Sequence, residues 1–376
     1  MKKIAIVTRR MVAGGIESAL ISMLEKINKN KYEVTLFVMA EGGEFIEYIP
    51  DWVKIVPIYG VEKSLARKVF NNVKRGRFLN AFKVGFYSIK SMKVNQGYES
   101  EKYLAKTLQK VDDEFDIAIA YHVPASFPVI YTSDFINAKQ KFAWVHSDVE
   151  VYKKELERYI EYYDKFDKIY CVSKYAMNKF NNQYPHLKNK TRVFYNIINT
   201  KKIYNLANEF KAFEDNFTGI RILTVGRLTE QKGQDIIPNI IKQLKKDNLS
   251  FKWYLVGDGE LGSNLKELIK KEDIEEELIL LGTKTNPYPY FSKCDIYVQP
   301  SRHEGYCITL AEAKLFNKPI IATDFVGARE QIVNEKNGLI VEFDRNCIKN
   351  SIKRLINDEK LRAKFSKNLS NSNINV

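Results

Sequence analysis

The 376-residue sequence lacks several common signatures. Its four cysteines, Cys171, Cys294, Cys307 and Cys347, show no C-x-x-C spacing, which fits reduced thiols in a cytoplasm. The N-terminal strand–Gly–Gly–helix unit around Gly14 and Gly15 is not G-x-G-x-x-G, which argues against a nicotinamide enzyme. No D-x-D occurs, and no His/Cys ligand cluster, so no metal and no cofactor is expected. No apolar stretch is long enough to span a bilayer. The apolar run near the N-terminus is interrupted by Arg9 and Arg10, so it reads as a strand and not as a secretory h-region. No helix-turn-helix, zinc or RNP-type pattern is present, and nucleic acid is not an expected partner. There are no short repeats and no low-complexity segments.

Cations, by contrast, are in excess. Sixty Lys and Arg face 46 Asp and Glu, a net charge of +14 that favours polyanions or an anionic membrane surface. The excess is uneven. Residues 61 to 93 hold Lys63, Arg67, Lys68, Lys74, Arg75, Arg77, Lys83, Lys90 and Lys93 against Glu62 alone. Apolar residues such as Phe70, Phe78, Phe82, Phe86, Ile89 and Met92 interleave at roughly helical spacing. This stretch reads either as a basic amphipathic element lying on a bilayer, with Lys74, Arg75 and Arg77 as its membrane or acceptor surface, or as a helix pair packed on its own domain with Lys on the wet face.

Hydrophobic content of 45% is enough for buried cores, and the length suits two or three domains. Strands and helices alternate in both halves, which predicts parallel sheets in α/β layers. The first half offers IAIV, VTLFVM, VKIVPI, IAIAY, KFAWV and KIYCVS, closed by VFYNIIN at 193–199. The second offers RILTVG, KWYLVG, LILLG, IYVQP, PIIAT and GLIVE. The expected domains are 1–200 and 219–376, joined by a polar linker at 201–218. A C-terminal helix that can return to the first domain is expected before the frayed tail SNSNINV.

Four segments carry candidate chemistry. In PSRHEGYCITLAEAKLFNKP, Glu304 falls on a loop after a buried strand and Glu312 in the first turn of the next helix, read as starting near Leu310. Such loops open at the carboxyl ends of strands, where ligands bind. Backbone N–H groups at 306 to 310 are expected to meet an anion there, assisted by the helix dipole. Donor contacts are therefore expected along Gly305, Tyr306, Cys307, Ile308, Thr309 and Leu310. In RILTVGRLTEQKGQD, Arg227 and Lys232 sit on the turn between a strand and a helix, a placement suited to a diphosphate. In IAIVTRRMVAGGIE, Gly14 and Gly15 let backbone approach a ligand closely before a helix from Ile16 to Ile27. In KFAWVHSD, His146 follows a strand end. His122 stands at a similar strand end and is given no role.

These segments resemble retaining glycosyltransferases of the GT-B class, family four (glycosyl transferases group 1), of the bacterial polysaccharide type. The resemblance rests on the E-x7-E of Glu304 and Glu312, on Arg227 and Lys232, on the Gly14–Gly15 loop and on His146, and is strongest from about 220 to 342. It implies two Rossmann-like domains with parallel sheets facing across a cleft. It also implies that Glu304 and His146 contact the transferred sugar, that Glu312 contacts the nucleotide ribose, that Arg227 and Lys232 hold the donor's phosphates, and that Gly15 faces the donor. Two departures stand out. Tyr306 and Cys307 replace the usual Phe-Gly, and FVGARE replaces a Gly-Gly loop.

The expected function is retaining transfer from a nucleotide-diphosphate sugar, UDP-linked, to a lipid-linked glycan acceptor carried on polyisoprenyl diphosphate. The expected place is the cytoplasm, peripheral on the inner face of the membrane. The alternatives are a GT-B sugar-nucleotide epimerase and a non-catalytic polyanion-binding α/β protein.

Overall fold

Short runs rich in Ile, Val and Leu become strands buried on both faces, as parallel sheets covered by helices require. The computed structural model describes residues 1–40, 42–59, 64–95 and 97–371. Glu62 and Lys63 of the basic stretch and residues 372–376 of the tail lie outside the described residues. Among the described residues, thirteen strands form two sheets.

The first sheet holds β1 (Lys2–Thr8), β2 (Tyr32–Val38), β3 (Lys54–Pro57), β4 (Glu114–Ala120), β5 (Asn137–Val145), β6 (Lys168–Cys171) and β7 (Thr191–Val193). Their order is β3-β2-β1-β4-β5-β6-β7. The second holds β8 (Ile220–Val225), β9 (Phe251–Val256), β10 (Leu278–Gly282), β11 (Ile296–Gln299), β12 (Ile320–Thr323) and β13 (Leu339–Val341), in the order β10-β9-β8-β11-β12-β13. Neighbouring strands are parallel throughout. In each sheet the strand order reverses beside the first strand, between β1 and β4 and between β8 and β11. These are the topological switch points at which doubly wound sheets bind ligands.

The chain divides into two compact units. One comprises Met1–Val12 and Ile16–Tyr195, the other Ala13–Gly15 and Asn196–Val376. The first is centred on Phe115, Phe127, Tyr163 and Phe180, the second on Ile240, Ile241, Trp253 and Phe365. Burying Trp253 would strand its indole N–H, but it donates to Thr224 Oγ1 at 3.0 Å, and that hydroxyl donates to Val298 O at 2.6 Å.

Two elements differ from the sequence reading, the strand that closes the first sheet and the start of the linker. The closing strand of the first sheet is Thr191–Val193, not 193–199. Past Val193 the chain leaves the ladder, and Asn199 caps the helix Thr200–Leu206 by accepting from Lys202 N. The polar stretch 201–218 therefore begins inside a helix. Its Tyr204 hydroxyl donates to Leu315 O at 2.7 Å, and its Asp215 receives Tyr254 Oη at 2.6 Å. Residues 65–93 form two helices, α2 (Leu65–Lys74) and α3 (Phe78–Lys93), followed by α4 (Tyr98–Ala105). The chain's final helix, Glu359–Ser370, packs Leu361 and Phe365 into the second core.

Candidate active site

The loop after β8 and the loop after β11 lie side by side, because these two strands are neighbours at the second sheet's switch point. Gly233 makes their contact close. Its φ is +73°, and a Cβ there would stand 1.9 Å from Pro300 O, so no other residue fits. Arg302 N donates to Gln231 O at 2.8 Å and Gln231 Nε2 donates to His303 O at 3.1 Å. The Arg302 guanidinium also grips Asp235 with two hydrogen bonds of 2.6 and 2.8 Å. The two loops are thus stitched by backbone, amide and a bidentate ion pair.

This stitching carries Lys232 to Glu304. Lys232 Nζ donates to Glu304 Oε1 at 2.5 Å, and Ser301 Oγ donates to the same oxygen at 2.9 Å. Behind them Gln299 Nε2 donates to Ser301 Oγ at 2.8 Å, while Gln299 Oε1 accepts from Tyr297 Oη at 2.5 Å and Thr309 Oγ1 at 3.0 Å. Glu304 is only 8% exposed. A carboxylate at that depth persists only when paired and hydrogen-bonded, and here it is both. Burial works against the charge of Lys232, but the Glu304 carboxylate outweighs it and holds the ammonium above its ordinary range. Arg227, at the tip of the same loop, is exposed. Gln234 Nε2 fixes its backbone by donating to Arg227 O at 2.9 Å.

The helix Ile308–Leu315 begins right after Cys307, which takes a left-handed φ of 63°. That conformation ordinarily falls to glycine and costs a larger residue about 1 kcal/mol or more. Gln331 steadies it by donating to the carbonyls of Tyr306 and Cys307. Burial pushes the Cys307 thiol up to about 12, with Glu304 adding to the effect, so it stays neutral. Starting at Ile308, the helix places Glu312 in its second turn, not the first. The sequence reading began the helix late because Cys307 gives no cap signal. Glu312 is 5% exposed, and Tyr288 Oη donates to its Oε1 at 3.0 Å. Burial pushes this carboxyl up to about 7, although the Tyr288 hydrogen bond works the other way.

Of the other candidates, His146, Lys74, Arg75 and Arg77 lie in the first unit, whereas Gly15 falls to the second. His146 follows the end of β5 and is 8% exposed. Burial lowers its imidazole to about 3, so it is neutral, and its Nε2 has no hydrogen-bond partner among the described residues. The Tyr121 ring lies against it with centroids 4.4 Å apart. Gly15 is the first residue of the helix α1 (Gly15–Lys26). Lys74 ends α2, and Arg75 and Arg77 flank Gly76 in the exposed turn to α3. Among the described residues no group of three His, Cys, Asp or Glu side chains is placed to hold a metal ion.

Comparison with known proteins bears on this geometry. Residues 207–371 match the model of the family described as glycosyl transferases group 1. The matched stretch contains the β8 loop, the β11 loop and the helix carrying Glu312. An uncharacterized glycosyltransferase of Methanocaldococcus jannaschii is 35% identical over 205 residues, 54% of this chain and 53% of that one. An N-acetylgalactosamine-N,N'-diacetylbacillosaminyl-diphospho-undecaprenol 4-alpha-N-acetylgalactosaminyltransferase of Campylobacter jejuni is 33% identical over 54% of each chain. The chain therefore spans about half the length of these curated relatives. At the level of fold the likeness runs through both units. Anabaena HepE, solved with UDP-glucose, superposes with a TM-score of 0.70 at 18% identity, covering 98% of this chain and 93% of that one. The fold is GT-B, with two Rossmann-like parallel-sheet units.

Four residues of the second unit escaped the sequence reading: Gln299, Ser301, Tyr288 and Gln331. A signal was available for the first two. Gln299 interrupts the buried strand IYVQ, and an amide there must find partners, which turn out to be Tyr297, Ser301 and Thr309. Tyr288 and Gln331 lie on separate helices and give no local signal.

Proposed function

We propose that this chain transfers a sugar, with retention of anomeric configuration, from a UDP-linked donor to a glycan acceptor carried on polyisoprenyl diphosphate, without a metal ion. The observation that carries the reading is the joining of two cation- and carboxylate-bearing loops at one switch point, through Lys232 and Glu304. Arg227 and Lys232 meet the donor's diphosphate, and the first turn of the helix Ile308–Leu315 supplies N–H groups from Ile308, Thr309 and Leu310 beside it. Gly305, Tyr306 and Cys307 shape the approach to that turn. Glu312 accepts hydrogen bonds from the ribose hydroxyls.

As the bond from the anomeric carbon to the diphosphate breaks, negative charge gathers on the departing phosphate and positive charge on the sugar. Arg227 and Lys232 stabilise the first, and Glu304, freed to share Lys232 with the phosphate, orients and stabilises the second. His146 and Gly15 are assigned to the donor sugar and the donor's phosphate side. The acceptor hydroxyl attacks from the face that the diphosphate leaves and gives its proton to an oxygen of the departing phosphate. UDP as the nucleotide is supported by the likeness to HepE, and the polyisoprenyl acceptor by the likeness to the Campylobacter enzyme.

The test is a transfer assay on UDP-sugars with a synthetic polyisoprenyl-diphosphate glycan, followed by NMR of the new glycosidic bond. An α-linked donor should give an α-linked product. An inverted product, or donor turnover that needs no acceptor and yields an epimer, would overturn the reading.

A further inference from the structure

Among the described residues, seventeen large apolar side chains remain exposed, and eight of them fall in 65–93. Two, Phe70 and Val73, lie on α2, which buries no residue at all. Six lie on α3: Phe78 is 68% exposed, Leu79 81%, Phe82 69% and Met92 72%, while Phe86 at 42% and Ile89 at 49% are partly covered. Their spacing is the reason they form a surface. Steps of four, four, three and three from Phe78 through Phe82, Phe86, Ile89 and Met92 stay on one face of a helix with 3.6 residues per turn. The Phe82 and Phe86 rings stack with centroids 5.7 Å apart.

The opposite face of α3 is already occupied. Ala81 and Ser91 are buried, Ser91 Oγ lies 2.7 Å from Ser100 Oγ of α4, and Tyr87 stacks on Tyr103 of α4. The two helices therefore form a hairpin that is anchored by one face and bare on the other. Residues 64–95 carry Arg67, Lys68, Lys74, Arg75, Arg77, Lys83, Lys90 and Lys93 and no acidic residue. Lys90 reaches back over the Phe86 ring at 4.7 Å, so its ammonium borders the apolar stripe.

An exposed apolar patch of this size marks a binding surface. Its charge selects among the partners. A second copy of the same hairpin would bring eight cations against eight. A nucleic-acid duplex, whose bases are already stacked, would leave the aromatic stripe in water, and an acidic protein would need an apolar groove matched to it, whereas the headgroup–acyl boundary of an anionic bilayer meets both charge and stripe. We infer that the α2–α3 hairpin docks this protein on an anionic lipid bilayer, with Phe78, Leu79, Phe82 and Met92 entering the headgroup–acyl boundary and the surrounding Lys and Arg meeting anionic headgroups. The inference stands apart from the transfer reaction, because it concerns the lipid surface alone.

The full chain is sedimented with vesicles of phosphatidylcholine, and with vesicles in which phosphatidylglycerol makes up a third of the lipid. Binding should require phosphatidylglycerol and weaken as salt rises. Each basic side chain near such a surface is worth roughly a factor of five, so K74E/R75E/R77E should bind about a hundredfold more weakly. F78S/L79S/F82S should also lose binding, by at least about tenfold. All six side chains lie exposed, and melting temperatures should match wild type. A Phe82→Trp reporter should gain quenching by brominated acyl chains beyond that of the native tryptophans. The proposal fails if wild type ignores anionic vesicles, or if both triple variants bind like wild type. It fails equally if the variants instead lose binding to nucleic acid, or if F78S/L79S/F82S turns a dimer into a monomer while vesicle binding is unchanged.

Discussion

Segment 299–312 and the hairpin at 65–93 handle polar and apolar groups in opposite ways. In the first, Gln299, Ser301, Glu304 and Glu312 are inside the protein, each with a named partner. In the second, phenylalanines and a leucine are outside, and α2 buries nothing. The difference matches what the proposed transfer reaction and the proposed lipid docking would each require. A group that must act on a developing charge has to be held to a fraction of an ångström, and buried hydrogen bonds achieve that. Burying the Lys232–Glu304 pair is no route to stability, since an apolar pair of the same shape would do as well or better. A surface that meets a fluid partner needs apolar area and charge of one sign, and no fixed partner atom.

Substitutions can break this comparison. The largest effect is expected at Glu304. Glu304→Gln keeps the volume and removes the charge, and kcat should fall by a hundredfold to a thousandfold, about 3–4 kcal/mol of transition-state stabilisation, with the donor KM little changed. An unchanged kcat would detach Glu304 from the chemistry.

Next come the two cations, which should separate. Arg227→Ala should lower kcat/KM about a hundredfold and leave the melting temperature alone, because Arg227 is exposed. Lys232→Ala should lower turnover similarly and also destabilise the fold by about 3 kcal/mol, because it leaves the Glu304 carboxylate buried without its cation. Denaturant unfolding of both variants checks this. Equal stability would mean that the buried pair is not coupled as the geometry implies.

Glu312 gives an intermediate effect with a pH signature. Its folded carboxyl is raised from 4.5 to about 7, so the folded chain holds that proton more tightly than the unfolded chain. Stability from this group is full below about pH 4.5 and is lost as pH rises toward 7. Glu312→Gln should therefore stabilise the protein above pH 7, by at most about 3 kcal/mol, and hardly at all below pH 5. A melting series across pH 5 to 8 reads this directly, and a destabilised variant at pH 8 would contradict it.

The smallest effects are expected away from the paired site. The hairpin variant K74E/R75E/R77E should shift stability by less than about 0.5 kcal/mol. EDTA should leave transfer unchanged, whereas loss restored by Mg²⁺ or Mn²⁺ would require ligands that this account does not assign.

Much of this was legible in the sequence, for identifiable reasons. Strands such as IAIV and RILTV are continuous apolar runs, and a fully buried parallel strand needs nothing more. Glu304, Arg227 and Lys232 were singled out by the E-x7-E spacing, by two cations on the turn between a strand and a helix, and by the resemblance these carry together. The start of the helix at Ile308 was not legible, since it depends on Cys307 adopting a conformation that its side chain disfavours. Nor was the helix Thr200–Leu206, whose sequence TKKIYNL is as polar as a linker. The hairpin's periodicity could be read, but which face it buries could not. That is decided by Ser91 and Tyr87 meeting α4, a tertiary fact. The Tyr288–Glu312 bond joins residues on two helices, beyond the reach of any local pattern.

The most direct test of the central claim is calorimetric titration of UDP into wild type, Arg227→Ala and Glu312→Gln at pH 6 and pH 8. Ribose hydroxyls donate to a charged carboxylate, so wild-type affinity should rise by about tenfold from pH 6 to pH 8 as Glu312 loses its proton. Arg227→Ala should bind more weakly at both pH values, and Glu312→Gln should bind weakly with most of that pH dependence gone. Failure of wild type to bind UDP, or equal affinity in all three proteins, would contradict the account.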